Sequence, residues 1–323
     1  MTRAHTEITV VGDDDTGLVS RVTTLLFERG VNIEDVDQAV RDGVFRMTMA
    51  VDATEMDCSR ESLRGALHAL GRDLDLDVQV RFPSDRDASR VAVLATRESH
   101  CLEALLVAEA EDRLAEDEVE IPVVVSNRGD LRDLAERYGK PYYDIGDGSG
   151  APDEDRLLDL LAEYDVDLVV LARYMRILGP NVVFRYEDRI INVHPSLLPA
   201  FPGAQAYRQA VEAGVRVTGA TAHYVTTDLD QGPIVTQRVI DVPDDADVES
   251  LRRRGQPVEA AALLAAVRIH LAGATSVHRG RVGVHDEAEE QLGLSPAAAA
   301  ENPEVPVDGE RLDALPASVA PPN

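Results

Sequence analysis

The 323-residue chain predicts an α/β protein made of two units. Three observations carry this reading. Residues 7–82 alternate strand-like and helix-like stretches in the order β-α-β-β-α-β. From Arg90 the rhythm changes to a regular strand–helix alternation, which implies a doubly wound, mostly parallel sheet with helices on both faces. Between the two lies Pro83-Ser-Asp-Arg-Asp-Ala-Ser89, which is polar and fits neither pattern. The expected division is therefore residues 1–83, a linker at 84–89, and a second unit at 90–285.

In the first unit, residues 7–11 form a short apolar strand and residues 12–17 an acidic turn. Leu18, Val22, Leu25 and Leu26 recur at helical spacing, so a helix is expected over 18–29, ended by Gly30. Stretches 31–41 and 44–51 flank Asp42-Gly43 and read as a hairpin. A second helix is expected over 59–70, capped by Ser59 or Asp57. Residues 75–82 alternate as a strand. The order is that of a ferredoxin-like unit.

In the second unit, buried-type strands are expected at 91–95, 121–125, 141–145, 168–172 and 189–193. Helices are expected at 102–110, 130–138 and 154–164, the second stopped by Gly139 and Pro141. After Thr218 the chain is β-rich at 219–225 and 234–242. An Ala-rich helix follows at 258–271, then a last strand within 276–284. Residues 286–323, rich in Ala, Pro, Glu and Asp, read as a disordered tail.

The formal charge is −27, and Lys140 is the single lysine. Such acidity opposes binding to nucleic acid phosphates or to anionic membranes. It suits a solvated surface in a high-salt, halophilic cytoplasm, where a Debye length of about 3 Å screens self-repulsion. Cys58 and Cys101 are isolated thiols outside any C-x-x-C pattern, as expected in a reducing compartment. The polar N-terminus has no apolar leader, and no apolar run approaches ~18 residues. The expectation is a soluble, cytoplasmic protein.

The chemistry concentrates in Ile191-Asn-Val-His-Pro-Ser-Leu-Leu-Pro199 and His223-Tyr-Val-Thr-Thr-Asp-Leu-Asp-Gln-Gly-Pro233. Asn192 and His194 are two residues apart, so on an extended chain they share a face. Asp230 sits in a loop closed by Gly232 and Pro233. An amide donor, an imidazole and a carboxylate are the parts acyl transfer needs: an oxyanion stabiliser, a proton shuttle and a group that orients it. His223 reads as a packing or hydrogen-bonding residue nearby. No metal-ligand spacing exists in the sequence.

These motifs resemble the formyltransferase family that handles 10-formyltetrahydrofolate. The resemblance implies a formyltransferase-type sheet with Asn192, His194 and Asp230 as catalytic residues. Thr227 stands where the family's loop has its first acid, with Asp228 beside it. Leu171-Ala-Arg-Tyr-Met-Arg-Ile-Leu178 resembles the family's folate-binding stretch, which implies pterin contacts from Leu171, Met175, Arg176, Ile177, Leu178 and Val183. It also implies 10-formyltetrahydrofolate as substrate, with no prosthetic group and no metal. The Asp14-Asp-Thr-Gly-Leu18 turn resembles an ACT domain, the small amino-acid-sensing module. That implies a regulatory amino acid, such as glycine or methionine, and a homo-oligomer.

Two branches of the family compete. The deformylase branch hydrolyses the formyl group to formate and tetrahydrofolate, supplying formate to purine synthesis and balancing one-carbon pools. The alternative is phosphoribosylglycinamide formyltransferase, whose glycine-rich turn cradles a phosphate. Here the corresponding turn, Thr96-Arg-Glu-Ser-His-Cys101, has no glycine and carries Glu98, which repels a phosphate. With the ACT-like unit, this favours the deformylase. Pro195, where deformylases usually have a second His, and the Pro202-Gly203 pair are transferase-like. A more distant alternative is an amino-acid-binding regulator with a dead catalytic unit. It predicts loss of Asn192, His194 or Asp230, and all three are present.

Overall fold

The computed structural model describes residues 6–41, 43–82, 88–115, 118–278 and 280–284. The tail expected at 286–323 lies outside the described residues, as do residues 83–87.

The first unit comprises β1 (Thr6–Asp13), α1 (Leu18–Phe27), β2 (Asn32–Arg41), β3 (Val44–Asp52), α2 (Arg60–Leu74) and β4 (Leu76–Arg81). Its sheet has the order β2-β3-β1-β4, all neighbours antiparallel. One face of that sheet takes the helices. Leu18, Val22 and Leu26 of α1, at i, i+4 and i+8, join Leu63 and Leu67 of α2 over Ile8, Val10, Met47 and Met49. Ser59 caps α2 by accepting from the Ser62 N–H at 3.1 Å.

The second unit begins at β5 (Ala88–Ala95), two residues before the expected start, because parallel pairing with β6 (Glu118–Ser126) extends to Ala88. It continues with α3 (His100–Ala110), α4 (Arg132–Arg137), β7 (Tyr142–Asp144), α5 (Glu154–Glu163), β8 (Leu168–Leu171), α6 (Pro180–Arg185), β9 (Ile190–His194), α7 (Ala206–Glu212), β10 (Val217–Tyr224), β11 (Ile234–Asp241) and α8 (Val248–Leu271). The seven-stranded sheet has the order β11-β10-β9-β8-β5-β6-β7. Its five strands from β9 to β7 are parallel, and β10 and β11 complete it antiparallel. Alternate residues of β5 serve the two faces. Val91, Val93 and Ala95 pack with α3 and α8, while Ala92 and Leu94 pack with α5 and α6.

Four features differ from the sequence expectation. Helix α8 starts at Val248, ten residues early, behind a capping box of Asp247 and Ser250. It runs through Pro257, which removes one helical N–H without ending the helix. The single strand expected at 276–284 is instead a hairpin of β12 (Thr275–His278) and β13 (Arg281–Val284), turned at Gly280 with φ 71°. Helices α6 and α7 were not expected.

Helix α6 carries the contact between the units. Arg46 of β3, 4 % exposed, ion-pairs with Glu187 and stacks over Phe184 of α6 at 5.8 Å. Arg185 reaches Asp77 at 3.1 Å and Arg189 reaches Glu7 at 2.9 Å. Arg81 pairs with Asp167. Burial raises the Glu7 carboxyl above its ordinary range, and Arg81 only partly offsets it.

Candidate active site

Strand β9 ends at His194, so Asn192 and His194 stand together at its carboxyl edge. Strand β10 runs antiparallel beside it and pairs His223 with Asn192 and Thr221 with His194. The loop after β10 then returns Asp230 to the same edge, with its backbone left-handed at φ 54°. That conformation is tolerated by Asp. Gly232 permits the return, because a Cβ there would strike the Tyr224 carbonyl.

The polar atoms converge. His194 Nδ1 lies 3.4 Å from Asp230 Oδ2, with both side chains buried. His194 Nε2 lies 2.9 Å from the Phe201 carbonyl. Both ring nitrogens thus lie near oxygen atoms, one of a carboxylate and one of a backbone carbonyl. Asp230 Oδ2 also accepts the Gly203 N–H at 2.7 Å. Asn192 Nδ2 lies 3.2 Å from His223 Nε2, and His223 Nδ1 lies 2.8 Å from the Tyr224 carbonyl. Nδ1 of His223 therefore carries its proton, and Nε2 accepts from the amide. Burial lowers the His223 pKa, outweighing the pull of the Tyr224 carbonyl and Asp230. A neutral His223 fixes the amide and leaves the second Asn192 N–H free to donate elsewhere.

His223 has the hydrogen-bonding role near the site that the sequence suggests, and its partner there is Asn192. That partner is set by the strand register, which no local pattern reveals.

The expected folate stretch divides in two. Leu171, Leu178 and Val183 are buried in the core between β8, α5 and α6. Met175 and Ile177, at 55 % and 69 % exposure, turn outward. Arg176 reaches the Ser149 carbonyl at 3.2 Å. The loop is tied to its neighbour after β5, because the Met175 N–H donates to Thr96 Oγ1 at 2.9 Å. Thr96 Oγ1 in turn donates to Asn127 at 2.8 Å.

Beside this edge lies a charged cluster. Glu259 of α8, wholly buried, sits 3.2 Å from both Arg173 Nε and His100 Nε2 and accepts from the Tyr207 hydroxyl. Burial works to raise its pKa, but the His100 hydrogen bond and the Arg173 charge hold it below the ordinary range. Gly255 makes room for Tyr207, whose hydroxyl a Cβ there would strike. His100, Cys101 and Glu259 are close enough to share an ion. Glu259 is already matched by Arg173 and Tyr207, and burial and then Glu259 push the Cys101 thiol well up.

The formyl transferase family model matches residues 89–267, and an ACT domain model matches residues 7–81. A formyltetrahydrofolate deformylase of Bacillus subtilis is 38% identical over 273 residues, covering 83% of this chain and 89% of that protein. The chain belongs to the formyltetrahydrofolate deformylase family. A solved deformylase of Pseudomonas syringae is similar over 87% of this chain and 94% of that one, at 32% identity and a TM-score of 0.60. A glycinamide ribonucleotide transformylase of Symbiobacterium toebii is 35% identical with a TM-score of 0.58, over 64% of this chain and 97% of that one. The deformylase likenesses thus cover more of this chain than the transformylase likeness does. Among the described residues no helix is long and apolar enough to cross a membrane.

Proposed function

We propose that the chain hydrolyses 10-formyltetrahydrofolate to formate and tetrahydrofolate, with Asn192, His194 and Asp230 as its catalytic residues. The observation that carries this reading is the meeting of a clamped amide, a doubly paired imidazole and a buried carboxylate at one strand edge. A water oxygen adds to the formyl carbon while the carbonyl π pair moves to oxygen. The free Asn192 N–H donates to that oxyanion. His194 delivers a proton to N10, the oxyanion pair re-forms the carbonyl, and the C–N10 bond breaks with its electron pair on nitrogen, releasing formic acid that ionises to formate in water. The proton lost by water is left on the Asp230–His194 pair, which restores the resting charge. Met175, Arg176 and Ile177 cover the pterin, with Leu171, Leu178 and Val183 supporting the loop from beneath.

Residues 1–83 and 90–285 act as a regulatory and a catalytic unit in this reading. The ACT resemblance implies an amino acid effector, such as glycine or methionine, and self-association. Formate for purine synthesis is the product's use, in the cytoplasm, and the acidity fits a high-salt interior.

Incubation with 10-formyltetrahydrofolate, with and without glycinamide ribonucleotide, tests the reading. Formate released at the same rate in both supports hydrolysis. Turnover only with the nucleotide selects formyl transfer instead.

A further inference from the structure

A carboxylate that faces the core from the middle of a helix needs partners, and those of Glu259 come from three other stretches of chain. His100 Nε2, at the start of α3, lies 3.2 Å from its Oε2, and Arg173 Nε, in the loop after β8, also lies 3.2 Å away. The Tyr207 hydroxyl, from the first turn of α7, donates to Oε1. Gly255 stands one turn earlier on α8, where a Cβ would strike that hydroxyl. Helix α8 thus offers an open position and then an acceptor, and Tyr207 fits both.

Tyr207 in turn holds the segment between β9 and α7. Phe201 and Gln205 in that segment have left-handed φ of 53° and 62° without being glycine. Such residues persist only where their surroundings over-determine them. The same segment supplies the contacts of the catalytic pair. The Phe201 carbonyl lies 2.9 Å from His194 Nε2, and the Gly203 N–H donates to Asp230 Oδ2 at 2.7 Å. Gln209 also ties the segment, donating to the Pro202 and Ala204 carbonyls at 3.2 and 3.0 Å, but those bonds are exposed to water. The bond from Tyr207 to Glu259 is buried and charge-assisted, which makes it the stronger anchor. Arg173, two residues before Met175, is likewise left-handed at φ 62°, and Glu98 and Glu259 hold it together.

We propose that Glu259 is a positioning residue for hydrolysis. Set on the rigid α8, it holds the Phe201–Gly203 segment against His194 and Asp230 through Tyr207, and it holds the loop of Met175 and Ile177 through Arg173. The proposal rests on the hydrolytic reading above. Its two arms have different consequences. Cutting the Tyr207 arm loosens groups that act in proton transfer, so the loss falls on kcat. Removing the charge loosens Arg173, so the loss falls on KM, and it is the smaller effect because Glu98 still pairs with Arg173.

The test is steady-state formate release from 10-formyltetrahydrofolate by the full chain, beside melting curves. Wild type is compared with Tyr207→Phe, Glu259→Gln and the double variant. Tyr207→Phe keeps the ring beside Gly255 and the Glu259–Arg173 pair, and loses only the hydroxyl. A displacement of about 1 Å can cost about 10²-fold in rate, so its kcat should fall about 10- to 10²-fold with KM within about twofold of wild type. Glu259→Gln should raise KM by about 3- to 10-fold. Because both changes cut one strut, kcat of the double variant should lie within about threefold of the lower single variant. Losses of kcat that multiply in the double variant overturn the proposal, as does a Glu259→Gln variant with unchanged KM. A carboxylate that only stabilises the fold would lower the thermal midpoints and leave kcat of the folded variants unchanged, which also overturns it. If Glu259→Gln does not fold, kcat of Tyr207→Phe decides. Wild type that releases no formate refutes hydrolysis and this role with it, whereas active wild type beside a Tyr207→Phe variant of equal kcat refutes the strut alone.

Discussion

Replacing Asp230 by asparagine removes one charge while keeping almost everything else. The asparagine Oδ1 can still accept the Gly203 N–H that Asp230 Oδ2 takes at 2.7 Å. Asparagine also tolerates the left-handed backbone at φ 54°. What is lost is the partner of His194, 3.4 Å from Nδ1 and buried with it. Unit charges at that distance attract by about 5 kcal/mol at an effective dielectric of about 20, which is a ceiling on the effect. General acid–base catalysis typically contributes about 10²–10⁴-fold. Asp230→Asn should therefore lower kcat for formate release by about 10²–10³-fold. KM should change little, because the loss falls on proton transfer and leaves the proposed pterin contacts of Met175, Arg176 and Ile177 in place. The thermal midpoint should move by no more than about 4 °C, the shift expected from roughly 1 kcal/mol in a protein of this size. Steady-state formate assays beside a melting curve measure both. A folded variant that retains a fifth or more of the wild-type kcat would refute the argument that this carboxylate supports the imidazolium.

Asn192→Ala and His194→Ala should each reduce kcat by about 10²-fold or more with near-normal folate affinity; comparable turnover in either variant would sink that residue's assignment. Asp188 has its pKa raised from 3.8 to about 6, first by burial and then by Glu7 and Asp37, against the pull of Arg46. Its neutral form stabilises the fold fully below the unfolded value, and that stabilisation is lost as pH rises through about 6. Asp188→Asn should thus be more stable than wild type at pH above that range by about 1–3 kcal/mol, the difference vanishing near pH 4. Urea midpoints at the two ends of this window check it, and a pH-independent difference would contradict it. With a charge of −27, the thermal midpoint should rise across a KCl or NaCl series from about 0.05 to 3 M. A flat or falling midpoint would mean that the ion pairs between the units, which salt weakens, outweigh the relief of self-repulsion.

The parts legible in sequence are those set by local periodicity. The β5 and β8 strands read as unbroken apolar runs because both of their faces are buried. Asn192 and His194 read as a pair because a strand repeats every two residues. Asp230 was legible through the Gly232-Pro233 closure of its loop. The unread parts depend on contacts distant in sequence. Gly255 and Pro257 look like helix breakers until Tyr207 fills the space beside Gly255 and the capping box at Asp247 starts the helix upstream. Gly179-Pro180 looks like a terminator, yet Pro at the first helical position starts α6. His223 gains meaning only from its register opposite Asn192. Glu98 was read as a repulsive charge, but its partners Arg173, Arg252 and His100 come from three different stretches of chain.

Helix α6 follows the loop of Met175 and Ile177 with only Gly179 between Leu178 and Pro180, and it is also the surface on which β1 and β3 rest. Six residues at 1.5 Å each make a lever of about 9 Å, stiff because its backbone bonds are internal. Exchanging the N-terminal unit for one from another protein would therefore be more than a change of attachment. A graft lacking the charges of Glu7, Arg46, Asp77 and Arg81 would leave Arg189, Glu187, Arg185 and Asp167 facing one another's solvent-starved neighbours. The lever would then settle at a different angle and carry Met175 and Ile177 with it. Modular swaps in this chain need matched partners on the helix itself.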